Sequence, residues 1–127
     1  ACEAIDRWIH AGHPLDRLTC SSDGGGCLPV FDTNGELKRM GVGRSDVLID
    51  TIKALLRMGR PMESFLPVFT SNVASVLRLA SKGRLGVGSD ADLVALDDDG
   101  NVQFVMARGE WLVRDGQAMR HGTFEEH

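Results

Sequence analysis

The sequence predicts a mixed α/β chain, helical through about residue 81 and β-rich beyond it. Two patterns carry that expectation. Between Ser45 and Gly59, Leu48, Ile52, Leu55 and Leu56 recur at helical spacing. From Ala91 onward, short β-prone runs alternate with turn pairs such as Arg108-Gly109 and Asp115-Gly116. At 127 residues, the length suits one domain.

Each element follows from local chemistry. Residues 1–11 read as an amphipathic helix, because Ile5, Trp8 and Ile9 share a face and Gly12 stops it. No capping residue precedes Ala1, so the sequence reads as a piece of a longer protein. Arg17–Ser21 is a short strand candidate, and it ends in Ser21-Ser22-Asp23. Gly24-Gly25-Gly26 must be a loop, since three glycines lose too much backbone entropy inside an element. Phe31–Leu37 reads as a small hairpin around Asn34-Gly35, a pair that favours a type I′ turn.

Ser45–Met58 is the strongest helix, with Ser45 as N-cap, Asp46 at the positive end and Gly59 past the C-terminus. Pro61 opens another helix with Phe65 and Leu66 inward. Thr70 or Ser71 caps a third, with Val73, Val76, Leu77 and Ala80 on one face and Gly83 closing it. Strands are expected at Ala91–Leu96, Gln103–Ala107, Glu110–Val113 and Gln117–Met119.

Composition excludes several function classes. The net charge of −4 gives no electrostatic footprint for nucleic acid or an anionic membrane. No apolar run approaches the roughly 18 residues of a membrane span. Three cysteines, an odd number, fit free thiols in a reducing, cytoplasmic compartment better than a disulfide framework.

Asp23 is the first chemical candidate. It lies at the C-terminal end of an expected strand, followed by a flexible loop, where α/β proteins collect catalytic groups. A carboxylate there can ligate a metal or move a proton; a plain Asp-Gly turn is the competing reading. The glycine triplet could let backbone approach a ligand, though it lacks the Lys-Ser/Thr of a P-loop. Gly86–Ala91 superficially matches a dinucleotide fingerprint, but a helix precedes it and a strand follows, the reverse of what that motif needs. His10, His13, Cys20 and Cys27 have spacings looser than structural zinc sites use. Asp97-Asp98-Asp99 reads as a solvated turn rather than a cation site. His121 and His127 fall in a polar tail, and Trp8, Phe65, Phe69 and Trp111 read as core or contact residues.

Longer stretches of the chain resemble the isoaspartyl dipeptidases (beta-aspartyl peptidases) of the amidohydrolase superfamily. The resemblance begins at Ala11-Gly12-x-Pro14-Leu15-x-Arg17-Leu18-Thr19-x-Ser21-Ser22-Asp23-Gly24-x-Gly26. It continues through Asp32-x-x-Gly35-x-Leu37-x-x-x-Gly41-Val42-Gly43 and Pro67-x-x-Thr70-Ser71-Asn72-Val73-Ala74. A broader superfamily signature follows in Lys82-Gly83-x-Leu85-x-x-Gly88-x-Asp90-Ala91-Asp92-Leu93, then Val105-x-Ala107-Arg108-Gly109-Glu110 and Val113-x-Asp115-Gly116. Gly122-Thr123-Phe124-Glu125 resembles the dipeptidase tail.

The resemblance implies the C-terminal fragment of a (β/α)8 metal-dependent hydrolase barrel plus part of a small β-sandwich. Residues 1–81 would hold the last barrel strand, the active-site loop and helices, and residues 82–127 the sandwich portion. It implies a zinc hydrolase, binuclear when intact, that cleaves the isopeptide bond of beta-aspartyl dipeptides. Asp23 matches the family aspartate that ligates one zinc and relays a proton to the leaving amine. Cys27 stands where the family pattern has a substrate-contacting serine, and a thiol is the weaker hydrogen-bond partner. Cys27, Gly24 and Gly26 form the expected substrate-contact set.

The family's other metal ligands lie on earlier strands, so the missing N-terminal part of the parent chain is an expected partner. The chain alone is expected to be inactive and to bind zinc poorly. Exposed apolar faces and strand edges point to homo-oligomerisation. Two alternatives remain open. One is an amidohydrolase acting on a cyclic amide or an N-acyl amino acid. The other is a stand-alone, non-catalytic association or ligand-binding module.

Overall fold

The computed structural model describes residues 1–122; Thr123, Phe124 and Glu125 of the tail motif, and His127, lie outside them. In chain order, α1 spans Cys2–His10, β1 Cys27–Phe31, β2 Leu37–Val42 and α2 Val47–Arg57. Two 3₁₀ turns, Met62–Ser64 and Leu66–Phe69, lead into α3, Ser71–Val76. Strands β3 (Leu93–Leu96), β4 (Val102–Ala107), β5 (Glu110–Arg114) and β6 (Gln117–Ala118) complete the fold.

The core sits between α1, α2 and the 3₁₀ turns. Ile5, Leu55, Phe65 and Val68 are buried there, and Leu15, Leu18, Cys20, Ile52 and Met62 pack around them. Phe65 meets Phe69 edge-on, with ring centroids 6.3 Å apart. An Arg60–Asp6 ion pair of 2.5 Å joins α1 to the end of α2. Gly59, at φ +76°, terminates α2, as its place after the apolar stripe predicts.

The C-terminal strands form one antiparallel meander in the order β3-β4-β5-β6. Its two tight turns have positive φ at both central residues: Arg108-Gly109 at +51° and +82°, and Asp115-Gly116 at +51° and +75°. That is the type I′ geometry, whose twist suits the flanking strands. The β3–β4 turn docks on α2, where Lys53 Nζ donates to Asn101 Oδ1 at 3.0 Å.

Four expectations need correction. Arg17–Ser21 is not a strand. Among the described residues no strand lies alongside it, so its backbone has no ladder to join. Accordingly, the expected last barrel strand is not formed among the described residues, whose strands make two- and four-stranded antiparallel sheets. The 31–37 hairpin is longer than expected and does not turn through a two-residue type I′ pair. Phe31 pairs with Leu37, Gly35 alone in the loop has positive φ, and Asp32 Oδ1 accepts the N–H groups of Asn34 and Glu36. That carboxylate selects a wider, Asx-type turn. Pro61 opens a 3₁₀ turn rather than an α-helix, although Phe65 is fully buried as expected.

The third helix is also shorter than its apolar spacing suggests. Arg78 adopts φ +56° and Leu79 N–H bonds back to Ala74 O at 2.8 Å, which closes the helix before Gly83. Its buried residues are Asn72 and Ala74, while Val76 and Leu77 are exposed.

Candidate functional site

Asp23 follows the irregular stretch 13–22 at φ +50°, an uncommon conformation for a residue with a Cβ. Its side chain is exposed. The loop after it is tied down by backbone bonds. Gly26 N–H donates to Asp23 O at 2.9 Å, Gly25 N–H to Gly43 O at 2.9 Å, and Gly43 N–H to Gly26 O at 2.8 Å. These last two bonds extend the β1–β2 ladder to the base of the hairpin, beside Asp23.

Two glycines make room for this arrangement. A Cβ on Gly26 would lie 2.7 Å from Asp23 Oδ1 and 2.9 Å from Oδ2. A Cβ on Gly43 would lie 2.0 Å from the Asp23 carbonyl oxygen, a backbone atom that cannot rotate away. The carboxylate thus rests over the bare α-carbon of Gly26, and the Asp23 main chain passes directly against Gly43.

The approach to Asp23 is fixed from the helical side. Asn72 is buried on α3, and its amide nitrogen donates to Leu15 O at 2.5 Å and to Leu18 O at 2.9 Å. Cys20 N–H donates to Val68 O at 3.2 Å. These bonds give the polar backbone groups of the irregular stretch partners within the described residues. Gly43 and Asn72 lie in the stretches that carry the sequence resemblance, yet residue type alone assigned them no role. The available signals were a glycine immediately after a strand, which marks close backbone approach, and an amide within a short apolar helix, which demands partners.

The expected site residues are therefore contiguous: Asp23, Gly24, Gly26 and Cys27 share one loop and the first residue of β1. Cys27 is exposed and pairs with Val42. Ser22, Gly24 and Gly25 line an open depression with Gly43, Arg44, Ser45 and Asp46. At its rim Arg44 and Asp46 form an ion pair; hydrogen bonding between them holds the Asp46 carboxyl below its usual range and raises Arg44.

His10, His13, Cys20 and Cys27 are not brought together as a metal site. Among the described residues, no three His, Cys, Asp or Glu side chains converge for a metal ion. Burial pushes the Cys20 thiol up, away from the thiolate a metal prefers. Zinc takes four ligands, or three plus water. The described side chains offer Asp23 and no companions, so they do not by themselves fit a zinc centre.

The superfamily-like segment 82–93 folds as an ion-pair clamp. Lys82 Nζ contacts Asp90 Oδ2 at 2.8 Å and also Asp92 Oδ2, while Asp92 Oδ1 accepts Arg108 N–H at 2.7 Å. Hydrogen bonding to Lys82 lowers both carboxyls, Arg108 N–H lowers Asp92 further, and the two aspartates raise Lys82. The dinucleotide-like Gly86–Ala91 segment leads into β3, and among the described residues no helix follows it. Asp97 accepts the N–H groups of Asp99 and Asn101, which accounts for the acidic turn as a local cap.

A model of the amidohydrolase family matches residues 2–112. The chain belongs to the amidohydrolase family. Among solved structures, it is similar to the beta-aspartyl dipeptidase of Fervidobacterium islandicum AW-1 in complex with beta-Asp-Leu dipeptide. That likeness has a TM-score of 0.83 and 35% identity, over 98% of this chain and 32% of that one. A second structure of beta-aspartyl dipeptidase from the same organism gives 0.77 and 30%, over 98% and 30%. The N-acetylglucosamine-6-phosphate deacetylase of Thermotoga maritima shares the fold at 0.66 and 20%, over 90% and 36%. This amidohydrolase chain therefore spans about a third of the length of the structures it matches. Among the described residues no helix is long and apolar enough to cross a membrane.

Proposed function

We propose that this chain is part of a zinc-dependent isoaspartyl dipeptidase that hydrolyses the isopeptide bond of beta-aspartyl dipeptides. The supporting observation is the 35% identity, spread over 98% of the chain, to a dipeptidase solved with beta-Asp-Leu. In this reading residues 1–81 are the end of the catalytic barrel, and residues 82–127 belong to an accessory β-domain.

Asp23 is the proton carrier. Its exposed carboxylate takes a proton from the attacking water and gives it to the leaving amine as the C–N bond breaks. One water is consumed, and aspartate and the second amino acid are released. Asp23 would also be one ligand of a zinc ion completed by residues elsewhere in the parent protein, and such a metal would supply an acidified water and a polarised carbonyl. Gly24 and Gly26 contact the substrate as residues without side chains, their N–H groups being bonded to Ser22 Oγ and Asp23 O, and the Cys27 thiol replaces a hydroxyl contact. The 127 residues alone are inactive.

The test compares the complete enzyme, loaded with zinc, on beta-Asp-Leu, a cyclic amide and an N-acyl amino acid. A kcat/KM highest on beta-Asp-Leu supports the proposal. A higher value on either of the others overturns the substrate assignment, and turnover by the isolated 127 residues overturns the claim of inactivity.

A further inference from the structure

We infer that Asn72 is a positioning residue for Asp23, holding the segment 15–20 so that the carboxylate is aimed; this deepens the proposed function and rests on it. The irregular stretch 13–22 leads directly to Asp23. Its backbone is fastened at three points to the 68–72 region. The Asn72 amide nitrogen supplies two of them, to Leu15 O and Leu18 O, and Val68 O accepts Cys20 N–H.

The amide suits this task for a simple reason. Leu15 and Leu18 both offer carbonyl acceptors, and a side-chain NH₂ has two N–H donors, one for each. Asn72 is 8% exposed, so water cannot readily replace these bonds. A carboxylate at this position would present acceptors to acceptors. An aliphatic residue would take from Leu18 O its side-chain partner and leave Leu15 O with the Leu18 N–H alone. Asp23 lies five residues past Leu18 and is clasped on its other side by Gly26 and Gly43. Loss of the Asn72 clasp frees one of two anchors, and the carboxylate shifts without leaving the site. Misplacement of a catalytic group by about 1 Å costs on the order of 100-fold in rate.

The experiment is a double-mutant cycle in the complete enzyme with beta-Asp-Leu as substrate, with folding of each variant checked by circular dichroism. Asn72→Ala is expected to lower kcat by about 10- to 100-fold with KM changed less than about threefold. Asn72→Ser, which keeps one donor, should fall between Asn72→Ala and the unmodified enzyme, and serves as the test if Asn72→Ala does not fold. In an Asp23→Asn background, either Asn72 substitution should change the residual kcat by less than about twofold, since there is no proton carrier left to aim. Full independent losses in that background, or an unchanged kcat in folded Asn72→Ser, overturn the positioning role while leaving the dipeptidase reading intact. Undiminished activity in Asp23→Asn alone overturns the proton-carrier reading instead.

Discussion

Replacing Gly43 by alanine tests how tightly the fold holds Asp23. The added Cβ would fall 2.0 Å from the Asp23 carbonyl oxygen and 2.8 Å from its carbonyl carbon. Ordinary contacts begin near 3.4 Å, so one backbone must retreat by more than an ångström. The retreat strains or breaks the bonds from Gly25 N–H to Gly43 O and from Gly43 N–H to Gly26 O. Each is worth about 1 kcal/mol net, so the variant should lose roughly 2 kcal/mol of stability. A displacement of that size at the carboxylate should also cost on the order of 100-fold in kcat. Gly12→Ala is the control. Gly12 has φ +71° but nothing within 4 Å of its Cβ position. That variant should lose about 1–2 kcal/mol from left-handed backbone strain and keep its kcat. The assay is steady-state hydrolysis of beta-Asp-Leu by the complete enzyme, alongside denaturant unfolding. A Gly43→Ala variant with kcat within twofold of the unmodified enzyme would refute the close approach.

Three further outcomes follow from the packing and charges. Leu55→Ala removes a fully buried core side chain and should cost about 2–5 kcal/mol in denaturant unfolding. Gly100→Ala sets a Cβ 3.0 Å from Lys53 Cγ at φ +79° and should lower the melting temperature by undocking the β3–β4 turn from α2, while Gly35→Ala, with open space around it, should lower it less. The Lys82 clamp carries a pH signature. Asp90 and Asp92 have depressed carboxyl pKa values, so their contribution is present above the ordinary aspartate range and is lost as pH falls through their lowered folded values. Lys82 is raised, so its contribution persists up to the ordinary lysine range and is lost only as pH rises through the raised value. The melting-temperature gap between the unmodified protein and Lys82→Met should therefore be constant near neutrality and close on strong acidification; a gap unchanged at acid pH would argue against the clamp.

The sequence spoke most clearly where local chemistry decides structure. The 48–56 stripe, Gly59 and the two dipeptide turns of the C-terminal meander are short-range signals, and each took the expected form. It was misleading at Arg17–Ser21, because β-prone residues form a strand only when another strand supplies their hydrogen bonds. The apolar spacing of Val73, Val76 and Leu77 overextended α3, since a left-handed Arg78 ended it and an amide took the buried face. Asp23 stands as a candidate through its family-like neighbours in sequence. Its restraint by Gly43 and Asn72 was not legible, because both act across long sequence separations that no local pattern encodes.

The central claim is that Asp23 carries the proton in an isoaspartyl dipeptidase. Its most direct test is the turnover of beta-Asp-Leu by the complete zinc-loaded enzyme with Asp23→Asn. A loss of about 10²- to 10⁴-fold in kcat, with the fold retained, is the expected result for removal of a general acid–base group. A folded Asp23→Asn enzyme that keeps its kcat would contradict the claim.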